Sequence, residues 1–328
     1  MTLSPEDQHR LDHVLDDAEF PELPGFQRGK VRESYNLGDG RRVMVATDRQ
    51  SAFDHVLAAV PDKGHVLTAT AAFWFEQTAD ICPNHVISYP DPNVIIAKRL
   101  DMLPVEMVVR DYITGTTDTS IWTMYNAGQR DVYGLTLPDG LVKNDKLPNT
   151  IITPTTKGEA GAHDYPITAT EIVEQGLLTQ AQWDEAATKS LALFKRGREI
   201  AAQNGLILVD TKYEFGLDEN GVVTIADEIH TPDSSRYWDA ALYPERHAAG
   251  EEPVSLDKEF LRLWIRERCN PYTDPLPTIP GETLITFSNK YILLFERVTG
   301  QTFVRPPTDV SVRDRILAAL AREFPEYF

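Results

Sequence analysis

The segment LILVDTKYEFGLDENGVVTIADEIHTPDSSR, from Leu206 to Arg236, constrains the fold more than any other part of the chain. Two β-rich runs flank Asn220-Gly221, the strongest short-range signal for a two-residue hairpin turn. A type I′ turn at that pair would set Glu214 directly across from Asp227. Side chains alternate faces along a strand, so Asp210, Lys212 and Glu214 share one face. Val209, Thr211, Tyr213, Phe215 and Leu217 share the other, the expected core side. Like charges directly opposite each other destabilise a sheet, so facing carboxylates beside a lysine imply a cation there. A solvated face on which the charges are harmless is the alternative reading of these residues alone.

The 328 residues suffice for one large or two ordinary domains. Hydrophobic residues make up 42% and charged residues 25%, the balance of a soluble globular chain. No apolar run approaches the length that spans a bilayer, so no membrane partner is expected. The start, MTLSPEDQHRLDHVL, lacks the basic and apolar regions of a secretory signal, and a cytoplasmic location is expected. Cys82 and Cys269 have no metal-ligand spacing and read as ordinary buried thiols of a reducing compartment. A net charge of −18 argues against sequence-independent binding to nucleic acid and against anionic membranes. Basic residues nevertheless gather in short polar segments: Arg28, Lys30 and Arg32; Lys98 and Arg99; Lys143 and Lys146. Such clusters suit a pocket for small anions, with scattered surface charge as the alternative for any one of them.

The organisation reads as mixed α and β. Ser4-Pro5 opens a short helix, with Ser as N-cap and Pro at the first helical position. Strands are expected over Arg42–Thr47, Val94–Lys98 and Glu106–Ile113, and a helix over His65–Asp80. Thr179 with Gln182 forms a capping box before a long helix whose buried stripe is expected at Trp183, Ala187, Leu191 and Phe194, with Gly205 as its stop. Three helices follow the hairpin: Ser255–Arg268, Glu282–Thr299 and Val310–Phe324. The stretch Gly115–Tyr165 is rich in Thr, Pro, Gly and Asn with little periodicity, and part of it is expected to close over substrates. The expectation is an α+β chain of two lobes with a cleft between them. An N-terminal antiparallel-sheet lobe would cover residues 1–115 and a C-terminal α/β lobe residues 116–328.

Four segments could carry chemistry. In QRGKVRESYNLGDGRRVMVATDRQSAFD, Gly29 lets backbone approach a ligand and Lys30 offers a point charge for phosphate. It is not a Walker A loop, because G-x-x-x-x-G-K-[ST] is absent. In KRLDMLPVEMVVRDYITGT, alternate positions bring Glu106, Val108 and Arg110 to one face, with Arg110 as an anion clamp. KNDKLPNTIITPTTKGEAG places lysines, hydroxyls and glycines on a long loop, and a solvated surface loop is the serious alternative there. DEIHTPDSSRYW sets Ser234, Ser235 and the guanidinium fork of Arg236 near the two carboxylates, a phosphate-binding set.

With GKVRESY, TDRQSAFD, LPVEMVVRDYITGT, TPTTKGEAGAHD, GLILVDTKYEFG and ADEIHTPDSSRYW in this order, the chain closely resembles the SAICAR synthetase family of purine biosynthesis. It looks like the long form, with an extended middle loop and a C-terminal helical extension. The resemblance implies an ATP-dependent amide ligase that joins L-aspartate to the carboxylate of the ribonucleotide CAIR, giving SAICAR, ADP and phosphate through an acyl phosphate. By position, Gly29, Lys30 and Arg32 resemble the phosphate loop, and Lys98 and Glu106 match residues of the nucleotide pocket. Glu214 and Asp227 match the Mg²⁺ ligands, and Lys212 and Asp210 fall at the catalytic centre. Arg110, Thr116, Ser235 and Arg236 match the CAIR side, with Arg236 on its 5′-phosphate, and Lys143 and Lys157 would hold aspartate or a carboxylate. At Thr116 the short form often has Ser, and a hydroxyl is retained. A monomer is expected by analogy with the long form. Two other classes stay open on the residues: a catalytically silent nucleotide-binding module, and a hydrolase using Glu214 and Asp227 as acid and base. The presence of Lys30, Glu214 and Asp227 speaks against the first, and the neighbouring lysine and arginines speak against the second.

Overall fold

Short apolar runs broken by Gly-rich turns, as in SYNLGDGRRVMVA, build the first sheet. A computed structural model describes residues 3–53, 55–117, 120–156, 165–307 and 309–328. Its chain forms two compact units. The first comprises Met1–Phe73, His85–Arg99 and Leu256–Phe328; the second comprises Trp74–Asn84 and Leu100–Ser255. The chain thus passes to the second unit after Arg99 rather than at residue 115, and its tail belongs with the first.

In the first unit, β1 (Phe26–Arg28), β2 (Arg32–Asn36) and β3 (Arg41–Ala46) are followed by a ribbon of β4 (Arg49–Ala52) and β5 (His55–Ala59), then β6 (Val86–Asp91) and β7 (Val94–Lys98). The sheet order is β1-β2-β3-β7-β6, antiparallel throughout. One face buries Tyr35, Val43, Val45, Val94 and Ile96 against Leu15, Phe20 and the tail-helix residues Ile316, Leu320 and Phe324. That packing explains the return of the tail. The helix Val312–Glu323 has an apolar stripe, and periodicity alone cannot say which sheet covers it. Helices Glu259–Arg266 and Gly281–Thr299 contribute Leu261, Ile265, Phe287 and Tyr291 to a second core with Val66 and Leu67.

In the second unit, β8 (Asp101–Tyr112) opens a sheet continued by β11 (Lys146–Ile152), β12 (Thr155–Thr156), β13 (Leu206–Leu217), β14 (Val223–Ala226) and β15 (Ser235–Asp239). The strand order is β11-β8-β13-β14, with β12 on β8 and β15 on β13. The unperiodic stretch after Gly115 is partly ordered. It holds the helix Ile121–Asn126 and a small ribbon of β9 (Asp131–Val132) and β10 (Leu135–Thr136), over a core of Ile113, Ile121, Tyr125, Val132, Leu137 and Leu147.

The capping box of Thr179 and Gln182 starts the helix Gln180–Gln203, which packs on β13 and β8. Its buried face is Ala186, Ser190, Leu193, Phe194, Gly197 and Ala201; of the expected stripe Phe194 is buried, Trp183 and Ala187 are half-buried, and Leu191 is 41% exposed. Small residues make this face so that the helix can approach closely. A Cβ on Gly197 would lie 2.4 Å from the ring of His230. Both cysteines are free thiols; Cys82 is buried and Cys269 half-buried. No helix among the described residues is long and apolar enough to cross a membrane.

The hairpin differs from its expected form. β13 and β14 pair Glu214 with Ala226 and Leu217 with Val223, so the loop runs from Asp218 to Val222. Asp218 Oδ1 accepts from the amides of Asn220 at 2.9 Å and Val222 at 2.8 Å. Gly221, at φ 76°, donates its amide to the Asp218 carbonyl at 2.9 Å. This is a type I turn closed by a left-handed glycine rather than a two-residue type I′ turn. The Asp218 side chain decides the outcome, and Glu214 does not face Asp227 across the ladder.

Candidate active site

β8 and β13 carry the charged face. Their antiparallel register pairs Arg110 with Asp210, Val108 with Lys212 and Glu106 with Glu214. Alternation therefore brings Glu106 and Arg110 to the same side as Asp210, Lys212 and Glu214. Two carboxylates do face each other, but the partner of Glu214 is Glu106. Such a pair needs a cation, and Lys212 supplies it: its Nζ donates to Glu106 Oε1 and Glu214 Oε1, each at 2.6 Å. Thr155 on β12 donates its hydroxyl to the other Glu106 oxygen at 3.0 Å. Desolvation draws the Lys212 ammonium down, but Glu214, Glu106 and Asp227 together outweigh it, and its pKa is raised well above the ordinary lysine value.

Asp227 lies one residue beyond β14 at φ 62°. Left-handed backbone there breaks the strand alternation. Its charge thus acts on Lys212 although the ladder does not oppose it to Glu214.

Beside this cluster lies a second one. Arg110 Nη1 donates to Asp210 Oδ2 at 2.7 Å, and Arg236 Nη1 bonds the same oxygen. Arg110 Nε also donates to Thr153 Oγ1 at 2.9 Å. Asp210 is buried, and two guanidiniums share its single negative charge. The two planar forks suit an anion with several oxygens. Gly115, at φ 118° three residues beyond β8, lies against this cluster, since a Cβ there would come within 3.6 Å of Arg236 Nη2; half-buried Thr116 follows it.

The remaining expected residues lie on other elements or faces. The Ser235 hydroxyl is buried, 2.7 Å from Thr211 Oγ1 and 3.2 Å from Ser234 Oγ. Lys143 donates to Glu252. Lys157 lies outside the described residues. In the first unit, Gly29, Lys30 and Arg32 form the turn from β1 into β2, with Lys30 exposed. The Gly29 amide donates to the Arg32 carbonyl at 2.9 Å, and a Cβ on Gly29 would lie 2.6 Å from that oxygen, so the turn requires glycine. Lys98, at the end of β7, is exposed and pairs in register with Arg41.

Three residues lacked a sequence assignment. Thr153 and Thr155 lie in the quoted TPTT motif, where hydroxyl spacing did not reveal their partners. His230 is fully buried beneath the site strand, bonded through Nε2 to the Tyr213 hydroxyl, with the Trp74 ring edge-on at 4.6 Å. Burial lowers its pKa to about 3, so the ring is neutral.

Carboxylates suited to Mg²⁺ are present, because that ion takes oxygen donors and needs only one or two carboxylates when phosphates complete its shell. Among the described residues no group of three His, Cys, Asp or Glu could hold a metal ion, so any ion here would depend on such phosphates.

The family model of SAICAR synthetase matches residues 25–279. A phosphoribosylaminoimidazole-succinocarboxamide synthase of Legionella pneumophila (strain Paris) is 54% identical over 296 residues, covering 90% of this chain and 94% of that protein. The chloroplastic enzyme of that name from Arabidopsis thaliana is 53% identical, covering 91% of this chain and 72% of that protein. The solved SAICAR synthase from Saccharomyces cerevisiae, complexed with SAICAR, superposes with a TM-score of 0.76 at 30% identity, covering 89% of this chain and 100% of that one. The chain belongs to the SAICAR synthetase family. Its reaction is the ATP-dependent ligation of CAIR with L-aspartate in purine biosynthesis, giving SAICAR, ADP and phosphate. The silent-module and hydrolase readings are set aside by that membership.

Proposed function

We propose that the charged face of β8 and β13 carries out this ligation through an acyl phosphate. One observation carries the reading: Lys212, held between Glu106 and Glu214, stands in a sheet face that also carries the Arg110–Asp210–Arg236 cluster. A carboxylate is a poor acyl donor because oxide would have to leave. One carboxylate oxygen of CAIR therefore attacks the γ-phosphorus of ATP, the bond to the bridging oxygen breaks, and ADP departs. The aspartate amine then attacks the acyl carbon. The carbon–oxygen bond to phosphate breaks, phosphate leaves with that oxygen, and the amine gives up a proton as the amide forms.

Lys212 contacts the phosphoryl oxygens, and Asp210 aligns the two guanidiniums. Arg236 takes the 5′-phosphate of CAIR, with Arg110, Thr116 and Ser235 on the rest of that nucleotide. Ser235 would have to exchange its bond to Thr211 in doing so. Glu106 is assigned to the nucleotide. Glu214 and Asp227 would hold Mg²⁺, which when bound neutralises phosphoryl charge. In the first unit, Gly29, Lys30, Arg32 and Lys98 are assigned to ATP phosphates. Lys143 and Lys157 are assigned to aspartate, and Lys143 would leave Glu252 to reach it. The active species is a monomer located in the cytoplasm. CAIR labelled with ¹⁸O in its carboxylate tests the chemistry: the acyl-phosphate route moves one label into the released phosphate. Phosphate without label excludes it.

A further inference from the structure

The turn assigned to ATP phosphates is gripped from behind by a residue with no role so far. Arg49 opens β4 within the segment TDRQSAFD and is only 7% exposed. Its Nε donates to the Lys30 carbonyl at 3.1 Å and its Nη2 to the Gly29 carbonyl at 3.0 Å. Its Nη1 donates to the Asp16 carbonyl at 2.7 Å and to Glu33 Oε1 at 2.6 Å. Glu33, on β2, is fully buried; its Oε1 is also 3.5 Å from Arg28 Nε, and its Oε2 has no hydrogen-bond partner among the described residues. A buried carboxylate is retained only beside a cation, so Glu33 fixes where the guanidinium sits.

The two carbonyls matter most. Each belongs to a planar trans peptide, in which C=O and N–H point in opposite directions. No peptide among the described residues is cis. Carbonyls of Gly29 and Lys30 directed at Arg49 therefore turn the amides of Lys30 and Val31 to the opposite side of the turn. Successive amides directed one way form a concavity for anions. Neither the exposed Lys30 ammonium nor the glycine explains that direction. We infer that Arg49, anchored by Glu33, is a positioning residue that orients the Lys30 and Val31 amides toward the ATP phosphates. The inference rests on the phosphate reading of the turn. A lysine could not replace the guanidinium, because only its planar fork reaches several acceptors at once.

Dissociation constants for ATP and CAIR, with Tm, in Lys30→Ala, Arg49→Lys, Arg49→Met and the double variant Lys30→Ala/Arg49→Lys test both layers. Arg49→Lys keeps the charge facing Glu33; if the Met variant does not fold, the Lys variant carries the test. The expected result is ATP affinity weakened roughly tenfold in Arg49→Lys. CAIR affinity should stay within about twofold, and the double variant should fall well short of the product of the two single effects. ATP affinity equal to wild type in both Arg49 variants overturns the brace while leaving the turn reading intact. Parallel losses of ATP and CAIR affinity in step with Tm also overturn it, since a structural role would move all three. Unchanged ATP affinity in Lys30→Ala overturns the phosphate reading itself, and the brace with it.

Discussion

On the second unit's sheet, charge is balanced by side chains that face one another across paired strands; at the first unit's turn, the backbone is held from behind and the lysine is left exposed. Glu106, Lys212 and Glu214 satisfy one another, as do Arg110, Asp210 and Arg236. Each charged group is thus placed before any ligand arrives, which avoids reorganisation when phosphoryl charge develops. The same arrangement makes each member depend on its neighbours, since deleting one removes a charged contact from those that remain. The turn behaves differently. Its geometry depends on the missing Cβ of Gly29 and on Arg49, while the Lys30 side chain is exposed.

That contrast can be broken at several points. The largest effect is expected from Glu214→Gln, which should lower turnover on the order of 100-fold and raise the Mg²⁺ requirement. The fold should survive, because Lys212 keeps Glu106. Steady-state rates across a Mg²⁺ titration check this, and full activity at ordinary Mg²⁺ would separate Glu214 from the chemistry. Arg236→Ala comes next. Loss of one charged hydrogen-bonding contact should weaken CAIR binding by about 2 kcal/mol. ATP binding should stay nearly intact, and Arg110 should keep Asp210 satisfied. Calorimetry with each ligand decides it; unchanged CAIR affinity removes Arg236 from the site.

A third comparison, of stability rather than activity, separates the units by pH. His230 is lowered from 6.5 to about 3 by burial, so the unfolded chain takes up its proton first. Its contribution is fully present above pH 6.5 and is lost as pH falls toward about 3. Asp48, in the first unit, has the opposite sign. Burial raises it from 3.8 to about 6 against its bonds from the Leu15 and Gly64 amides, so its contribution is present below 3.8 and is lost as pH rises through 6. Denaturant unfolding of His230→Gln, compared with wild type, should therefore show a shallower loss on the acid side, by about 1.4 kcal/mol per pH unit. Parallel curves would mean that the imidazole titrates normally in the folded chain.

Both regions were partly legible in the sequence, for different reasons. The strand alternation of Glu106, Arg110, Asp210, Lys212 and Glu214 followed from period-two patterning, but the carboxylates that face each other are Glu106 and Glu214, with Lys212 between them, rather than Glu214 and Asp227. The partner of Glu214 was not legible, because the Asp218 side chain competes for the turn amides and sets a longer loop than Asn-Gly alone suggests. Nor was the left-handed backbone at Asp227, which cancels the face that a regular strand would give it. The glycine in the β1–β2 turn was evident, whereas Arg49 was not. Three of its four acceptors are backbone carbonyls far away in sequence, which no side-chain pattern records. The helix stripe was offset in a related way, with Phe194 buried but Leu191 exposed. Large apolar residues suggested Leu191, but close packing on His230 selects the small face that contains Gly197.

Lys212 joins both halves of the account, as counter-ion to the facing glutamates and as the proposed contact to phosphoryl oxygens. Single-turnover formation of ADP from ATP and CAIR, compared between wild type and Lys212→Met with both ligands saturating and their binding confirmed by calorimetry, tests it most directly. The account predicts ADP formation slowed on the order of 100-fold or more with both ligands still bound. ADP formation at the wild-type rate in the methionine variant would contradict it.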